Sequence, residues 1–380
     1  MDILRPTWVE INIDNLIYNI KCIKRFLGKN VKLGAVIKAN AYGHGSVEIA
    51  KYIDGLDIDY FCVASLQEAL ELRKNNIKKS ILVMGYIPIN YIENAIKNDI
   101  TVTVFDYNYF KQLKEVLNKL EKKCKVHIKI DTGFNRLGFK IIENIQTDTI
   151  VFNQLLEIIK CKEVDVKGIF SHLSLTNESL DQMQFDRFLY TLKNIPSTDI
   201  IAHICDSIGM CKYKNFHMNM VRVGSCLYGY NSRSDELKLK KVMTFKSKII
   251  QVKEIKRGES ISYDSTFVAK KDMKIGVVAC GYADGIPREL SNKGYVMIGN
   301  KKCNIIGMMC MDQTIIDLDN IEKSMYKEDV IFYGERGPNL SEICCTAKTN
   351  KNEILTRVSK RVIKVYINKE GTVKIVDELN

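Results

Sequence analysis

Apolar residues recur along the chain in short runs, separated by stretches where they return every three or four positions. The runs fall at 31–38, 60–65, 81–85, 101–106, 125–131, 166–173, 200–205 and 220–224. Each reads as a strand, because a short apolar run bounded by turn residues is what a sheet element needs. The gaps carry helix-period segments such as "SVEIAKYI", "INYIENAIKN", "FKQLKEVLNKLEKK", "TIVFNQLLEIIK" and "LDQMQFDRFLYTLKN". "NLIYNIKCIKRFL" ahead of them reads as a leading helix. Eight strands alternating with helices point to an α/β fold of the (β/α)₈ barrel type more than to an open doubly wound sheet.

Beyond residue 236 the pattern changes to short strands broken by Gly, Asn and Asp: "KIGVVACGY", "GYVMIG", "KCNIIGMMCM", "TIIDLD" and "DVIFYG". The chain therefore divides into a barrel domain over 1–236 and an all-β domain over 237–380, with a short helix near "EILTRVSKRV". The boundary lies at "NSRSDELK", where charge and turn residues cluster.

Composition narrows the picture. A chain of 380 residues is too long for one ordinary core. No charged head precedes an apolar run at the N-terminus, and no stretch approaches the ~18 apolar residues that span a bilayer. The expectation is a soluble cytoplasmic protein with no membrane partner. Twelve cysteines include no C-x-x-C pair and fall mostly in apolar runs, as buried free thiols do in a reducing compartment. The net charge of +12 comes from lysines scattered over helix faces, not from an arginine-rich stripe, which argues against nucleic acid.

Barrel enzymes build their sites at the C-terminal ends of the strands. Those tips are Lys38, Ser65, Gly85, Asp106, Asp131 with "TGFNRLG", Ser171 and His172, Asp206 and Ser207, and Arg222 with Gly224. Cations and small hydrogen-bonding groups converge there, without a pair of carboxylates placed for metal or sugar chemistry. This favours an anionic ligand and amine chemistry. A partly desolvated Lys38 suits Schiff-base formation, because a lowered pKa frees its amine. A lysine snorkelling from a strand end is the plain alternative, and Lys38 alone leaves both open. Tyr42, with backbone N–H groups near Ser207 and Gly224, suits a phosphate.

"AVIKANAYGHG", "IKIDTGFNRLGF", "GIFSHL", "MVRVGSCLYG", "ISYDSTF", "GYADGIPR" and "CMDQT" together resemble the motif series of the alanine racemase family, pyridoxal-phosphate enzymes of the fold-III type. The match runs in order from about residue 7 to 366, and the family's barrel-plus-β architecture is the one periodicity suggests. The resemblance implies roles. Lys38 would hold pyridoxal 5′-phosphate covalently and act as acid/base on one face of Cα. Tyr263 would be the opposite base, reaching in from the partner subunit of a homodimer. Arg222 would face the pyridine nitrogen, buttressed by His172. Tyr42, Ser207, Gly224 and Ser225 would hold the phosphate. Arg136 would take the substrate carboxylate with the backbone around the partner's Met311 and Asp312. Tyr282 and Arg288 match entrance residues. Lys129 matches a lysine that many members carry as a carbamate, which would orient Arg136 where a bare ammonium would repel it. Supplying D-residues to bacterial wall synthesis is the implied physiological role.

Three positions depart from the family pattern. Asp206 stands where asparagine is usual, and an acid near a phosphate is expected to point away. Asp264 replaces the glycine after the catalytic tyrosine, a change aspartate tolerates in left-handed backbone. Asn352 replaces a tyrosine before Glu353, as in the serine-racemase domains of vancomycin-resistance systems. The expected activity is therefore racemisation of alanine, of serine, or of both. A non-catalytic cofactor carrier and a fold-III decarboxylase remain the competitors. Carriers lack a β domain, and decarboxylases place a carboxylate where Arg222 stands.

Overall fold

The computed structural model describes residues 3–196, 199–230 and 236–379. All eight expected barrel strands are present, as Lys32–Val36, Tyr60–Val63, Ser80–Val83, Ile100–Val104, Cys124–Asp131, Val164–Phe170, Ile201–His203 and Met220–Val223. They pair in parallel in chain order, and the last pairs with the first through Met220↔Lys32 and Val223↔Ala35. Between the seventh and eighth strands the ring closes by single bonds rather than a ladder. Asn219 N–H donates to Ala202 O at 3.0 Å and Arg222 N–H to Cys205 O at 3.0 Å. Tyr60–Val63 and Ile100–Val104 are buried along their whole length and show in the sequence as near-continuous apolar runs, whereas Cys124–Asp131 interleaves Lys125, His127, Lys129 and Asp131 with its apolar residues. The register shifts between Val126 and His127, opposite Gly168. A Cβ on Gly168 would meet the His127 ring at 2.5 Å, so the glycine makes room for that imidazole.

The second unit is all-β, with a seven-stranded sheet in the order 301–304, 295–298, 330–333, 243–247, 7–12, 363–368, 371–376, and a smaller sheet built from Ile249–Ile255, Met273–Val278 and Thr314–Asp317. Its fifth position is filled from the far end of the chain. Thr7–Asn12, which pattern alone did not reveal as a strand, pairs antiparallel with Met243–Ser247 and parallel with Ile363–Asn368. It then runs directly into the leading helix Ile13–Leu27, capped by the Asn12 side chain on Asn15 N–H. The "NSRSDELK" boundary falls largely on 231–235, outside the described residues. Two short helices, Leu340–Ala347 and Lys351–Thr356, replace the one expected near "EILTRVSKRV", and the residues after them form the hairpin Ile363–Asn368 and Gly371–Val376.

Buried Asp284 ties the N-terminal segment to the β domain. Its carboxylate accepts from both Nη atoms of Arg5, from Arg361 Nε at 2.7 Å and from Gly281 N–H at 2.9 Å. Burial would raise its pKa, but these donors outweigh it and hold the carboxyl below the usual range. Arg361 also pairs with Asp312 at 2.7 Å, so the same network fixes the 308–313 loop. Among the described residues no helix is long and apolar enough to cross a membrane.

Candidate active site

The first barrel strand ends at Val36, and the chain then does something costly. Ala39 (φ 50°, ψ 55°), Asn40 (φ 52°, ψ 45°), Ala41 (φ 52°, ψ 49°) and Tyr42 (φ 54°) form a left-handed turn without a glycine. Left-handed backbone costs roughly 1–2 kcal/mol per residue, so four such residues store on the order of 4–8 kcal/mol. Such strain persists only where the surroundings over-determine it. Here they do. Ala39 N–H donates to Glu68 Oε1 at 2.6 Å, while Glu68 Oε2 accepts Ala64 N–H at 2.7 Å in a capping box with Ser65. Asn40 Oδ1 accepts from Ser46 N–H at 2.8 Å. His44 Nδ1 lies 2.9 Å from both Ala41 O and Tyr42 O, and its ring stacks on Tyr228 at 4.2 Å. The β domain closes over the far side: a Cβ on Gly43 (φ 79°) would meet Leu355 O at 2.2 Å, and one on Gly45 (φ 90°) would meet Tyr366 Oη at 2.0 Å.

The turn aims Lys38 and Tyr42 into a cavity of about 360 Å³ at the C-terminal mouth of the barrel. Its walls include Lys38, Tyr42, Lys129, Arg136, His172, Asp206, Ser207, Arg222, Gly224, Ser225 and Asn352. The barrel-borne candidates named from the sequence are thus brought together, and Asn352 joins them from the helix Lys351–Thr356. Tyr263, Tyr282, Met311 and Asp312 do not line it. They lie at the surface of the β domain, where Ser262 Oγ donates to Met308 O at 2.5 Å and Tyr282 N–H to Cys310 O at 3.1 Å. Tyr263 is 62% exposed and Met311 52%. Arg288 is exposed as well.

Charge in the cavity is lopsided. Among the described residues no carboxylate forms an ion pair with Lys38, Lys129, Arg136 or Arg222. Burial, then Arg136, lowers the Lys38 pKa and makes its amine more available. Burial and Arg222 push Lys129 well below the ordinary lysine value; its Nζ donates to Ile130 O at 3.1 Å. Arg136 stacks over Phe134 at 4.4 Å with its guanidinium unpaired. Tyr42 is raised to about 12 by burial and then by Asp206, so its hydroxyl stays a donor. Asp206 stays in the cavity wall but spends one oxygen on the backbone: Oδ1 accepts from Ile208 and Gly209 N–H, both at 2.9 Å, capping the helix Ser207–Lys212. Asp264 adopts φ 59°, ψ 11°, the left-handed conformation that its glycine counterpart would favour.

Arg222 is buried and held on several sides. Nη2 donates to Ser171 O at 2.8 Å and to Ile204 O at 3.1 Å, and Nη1 to His203 Nδ1 at 2.6 Å. A guanidinium only donates, so His203 must accept at Nδ1 and carry its proton on Nε2, from which it donates to His127 Nδ1 at 2.8 Å. His172 is the weaker neighbour, with Nδ1 3.5 Å from Nη2. Sequence reasoning named His172 and missed His203 and His127. A usable signal existed: His127, Lys129 and Asp131 alternate along one strand and so share its inward face.

Two family models match the chain: "Alanine racemase, N-terminal domain" over residues 11–232 and "Alanine racemase, C-terminal domain" over 242–366. The chain belongs to the alanine racemase family. It is similar to the alanine racemase of Clostridium perfringens, 36% identical over 391 residues, covering 99% of this chain and 100% of that one. Among solved structures it is similar to the alanine racemase of Clostridium difficile 630, with a TM-score of 0.93, 34% identity and full coverage of both chains. The alanine racemase of Bartonella henselae, described with covalently bound pyridoxal phosphate, superimposes with a TM-score of 0.85 at 25% identity, covering 95% and 99% of the two chains. Alanine racemases are isomerases that depend on pyridoxal 5′-phosphate. The residues fit that group: the cavity wall carries the Lys38 amine, the Arg222 guanidinium and a small cradle at Ser207 and Gly224. There, Gly224 N–H donates to Ser207 Oγ at 2.9 Å, and a Cβ on Gly224 would fill the space 2.5 Å from Tyr42 Oη.

His44 links this geometry to acid stability. Burial lowers its pKa from 6.5 to about 4, so the unfolded chain takes up a proton below pH 6.5 that the folded protein refuses. That stability is complete above pH 6.5 and is lost as pH falls towards 4. His44→Gln is expected to flatten the pH dependence of the unfolding free energy across this window by up to ~1.4 kcal/mol per pH unit. Urea titrations at several pH values measure it; parallel curves for both proteins would mean that His44 is protonated in the fold.

Proposed function

We propose that this protein interconverts the L and D forms of alanine, and also of serine, with Lys38 and Tyr263 as the two bases. Bound pyridoxal 5′-phosphate draws electrons from the Cα of an attached amino acid and so acidifies its Cα–H bond. The chain's residues do the rest. Lys38 Nζ takes or returns the proton on one face of Cα, which its lowered pKa supports. Tyr263 Oη does so on the other face, and Arg136 holds the substrate carboxylate. Tyr42, Ser207, Gly224 and Ser225 hold the phosphate. Arg222 would face the pyridine nitrogen of the bound cofactor; having no lone pair to offer and no carboxylate beside it, its guanidinium would leave that nitrogen unprotonated. This restrains charge delocalisation into the ring and favours simple reprotonation over decarboxylation.

The observation that carries the reading is the unpaired Lys38 at the mouth of a cavity shared with Arg136, Arg222 and the Ser207–Gly224 cradle. A homodimer follows from it in this proposal. Tyr263, Tyr282, Met311 and Asp312 lie together on exposed surface outside their own cavity, so a second copy has to deliver them. The test follows optical rotation of L-alanine together with amine and CO₂ release. Loss of rotation without either product is expected, and Lys38→Ala should abolish it; release of CO₂ would favour a decarboxylase. Mixing Lys38→Ala with Tyr263→Phe, followed by subunit exchange, should restore about a quarter of the sites, because half the dimers are mixed and each has one intact site.

Lys129 is proposed to be carbamylated. Only a neutral amine adds CO₂, losing a proton to give a carbamate, and its depressed pKa supplies that form. A ¹³C signal from labelled bicarbonate, absent in Lys129→Ala, is expected.

Serine turnover is supported by Asn352, which puts a donor and an acceptor into the cavity where a tyrosine would crowd it to roughly methyl size. A site that bonds a substrate hydroxyl discriminates far better than one that is merely roomier. Asn352→Tyr is expected to lower the serine-to-alanine ratio of kcat/KM at least tenfold, about 1.4 kcal/mol. Both substrates measured on both proteins decide it. Negligible serine turnover by the wild type, or an unchanged ratio, would remove Asn352 from the specificity residues.

A further inference from the structure

The left-handed turn behind Lys38 has one more attachment. Asn40 stands at its centre, and while its Oδ1 caps the helix Ser46–Ile53, its Nδ2 donates to Glu378 Oε1 at 2.9 Å. Glu378 lies beyond the last strand, Gly371–Val376, more than three hundred residues away in sequence. The same oxygen sits 2.9 Å from Lys364 Nζ. Lys364 is fully buried, with a side chain 1% exposed, and Nζ has no aligned hydrogen bond; among the described residues its one ion pair is with Glu378. Lys364 Cδ packs 3.3 Å from where a Gly45 Cβ would be, and Tyr366, two residues on along the same strand face, donates from Oη to His44 O at 2.9 Å.

A buried ammonium without a counter-ion is strongly unfavourable, so Lys364 fixes the Glu378 carboxylate at this spot. The carboxylate in turn holds the side chain of a residue in strained backbone, two positions after the cofactor lysine. The turn stores several kcal/mol that would be released by relaxing to right-handed or extended conformations. Each hydrogen bond that resists this keeps Lys38 Nζ in place. We infer that Glu378 is a positioning residue for Lys38, acting through Asn40, with Lys364 as the charge that anchors it. The inference rests on the reading of Lys38 as the cofactor-bearing lysine.

Two double variants separate the bond from the charge. Lys364→Met/Glu378→Gln removes both charges but leaves an amide oxygen for Asn40 to donate to. Lys364→Met/Glu378→Ala removes the charges and the acceptor. Both are compared as holoenzymes by steady-state kinetics and by hydrogen–deuterium exchange of the segment 39–45. The glutamine variant should keep near wild-type kcat and exchange. The alanine variant should lose about tenfold in kcat with little change in KM, since small displacements of a reacting group cost that much, and segment 39–45 should exchange faster. Equal kcat and equal exchange in the two would overturn the inference, as would faster exchange with unchanged kcat. If neither folds, Asn40→Asp decides: it keeps the oxygen facing Ser46 but sets a carboxylate against Glu378, and it should reproduce the alanine phenotype. Unchanged kcat and exchange there overturn the inference. Lys38→Ala runs alongside. Activity retained in that variant means the reading of Lys38 has failed; activity lost, with indistinguishable double variants, means only the Glu378 role has.

Discussion

Four consecutive residues held in left-handed backbone are the constraint on which this site depends. The peptide Ala39–Tyr42 would not adopt that conformation on its own, because the cost per residue exceeds what a local hydrogen bond returns. It exists because two domains meet on it. Glu68, in the first turn of the helix Leu66–Lys74 that follows the second barrel strand, holds its start, and the bond from Ser46 N–H to Asn40 holds its middle. The helix Lys351–Thr356 and the strand Ile363–Asn368 press on the two glycines that follow. Folding of the β domain is thereby coupled to the aim of Lys38, and the helix that presses on Gly43 also delivers Asn352 into the cavity.

The same economy governs charge. Four cationic side chains border the cavity without a paired carboxylate, an arrangement that is unfavourable in an empty low-dielectric pocket and favourable once a phosphate and a substrate carboxylate arrive. Burial and mutual repulsion lower the pKa values of Lys38 and Lys129, which relieves part of that cost and frees two amines. Arg222 cannot shed its proton, so the fold surrounds it with acceptors instead: two carbonyls and a neutral imidazole whose tautomer is dictated by the guanidinium. His203 and His127 are both held far from protonation by burial and by Arg222, the latter at about 3. The row stays a chain of neutral donors and acceptors.

Much of the barrel was legible because its parallel strands are mostly apolar on both faces, and "AVIKAN" or "VRVGSC" ends where a turn must begin. Thr7–Asn12 was not legible. "TWVEIN" carries Glu10 and runs straight into a helix, and its neighbours lie more than two hundred residues away. The segment "EILTRVSKRV" was read as one short helix, whereas the helix Lys351–Thr356 ends within it and a strand begins at Ile363. Of the site, the residues at strand tips could be named from position, and those carried on the β domain only through family resemblance. The left-handed turn had no warning in the sequence: Ala39, Asn40 and Ala41 are ordinary residues, and their positive φ comes from contacts that only the assembled fold provides. His203 was hidden for a similar reason, since its partner Arg222 lies on the next strand rather than nearby in sequence.

If this turn is what makes a lysine cofactor-bearing, Lys38 and no other lysine bonds pyridoxal 5′-phosphate. Borohydride reduction of the protein purified with pyridoxal 5′-phosphate tests it directly: hydride adds to the carbon of the lysine–cofactor double bond, a proton adds to nitrogen, and the link becomes permanent. Peptide mapping by mass spectrometry then locates it. The phosphopyridoxyl group is expected on Lys38 alone; finding it on Lys129 or any other lysine, or on none, would rule out this role for the turn.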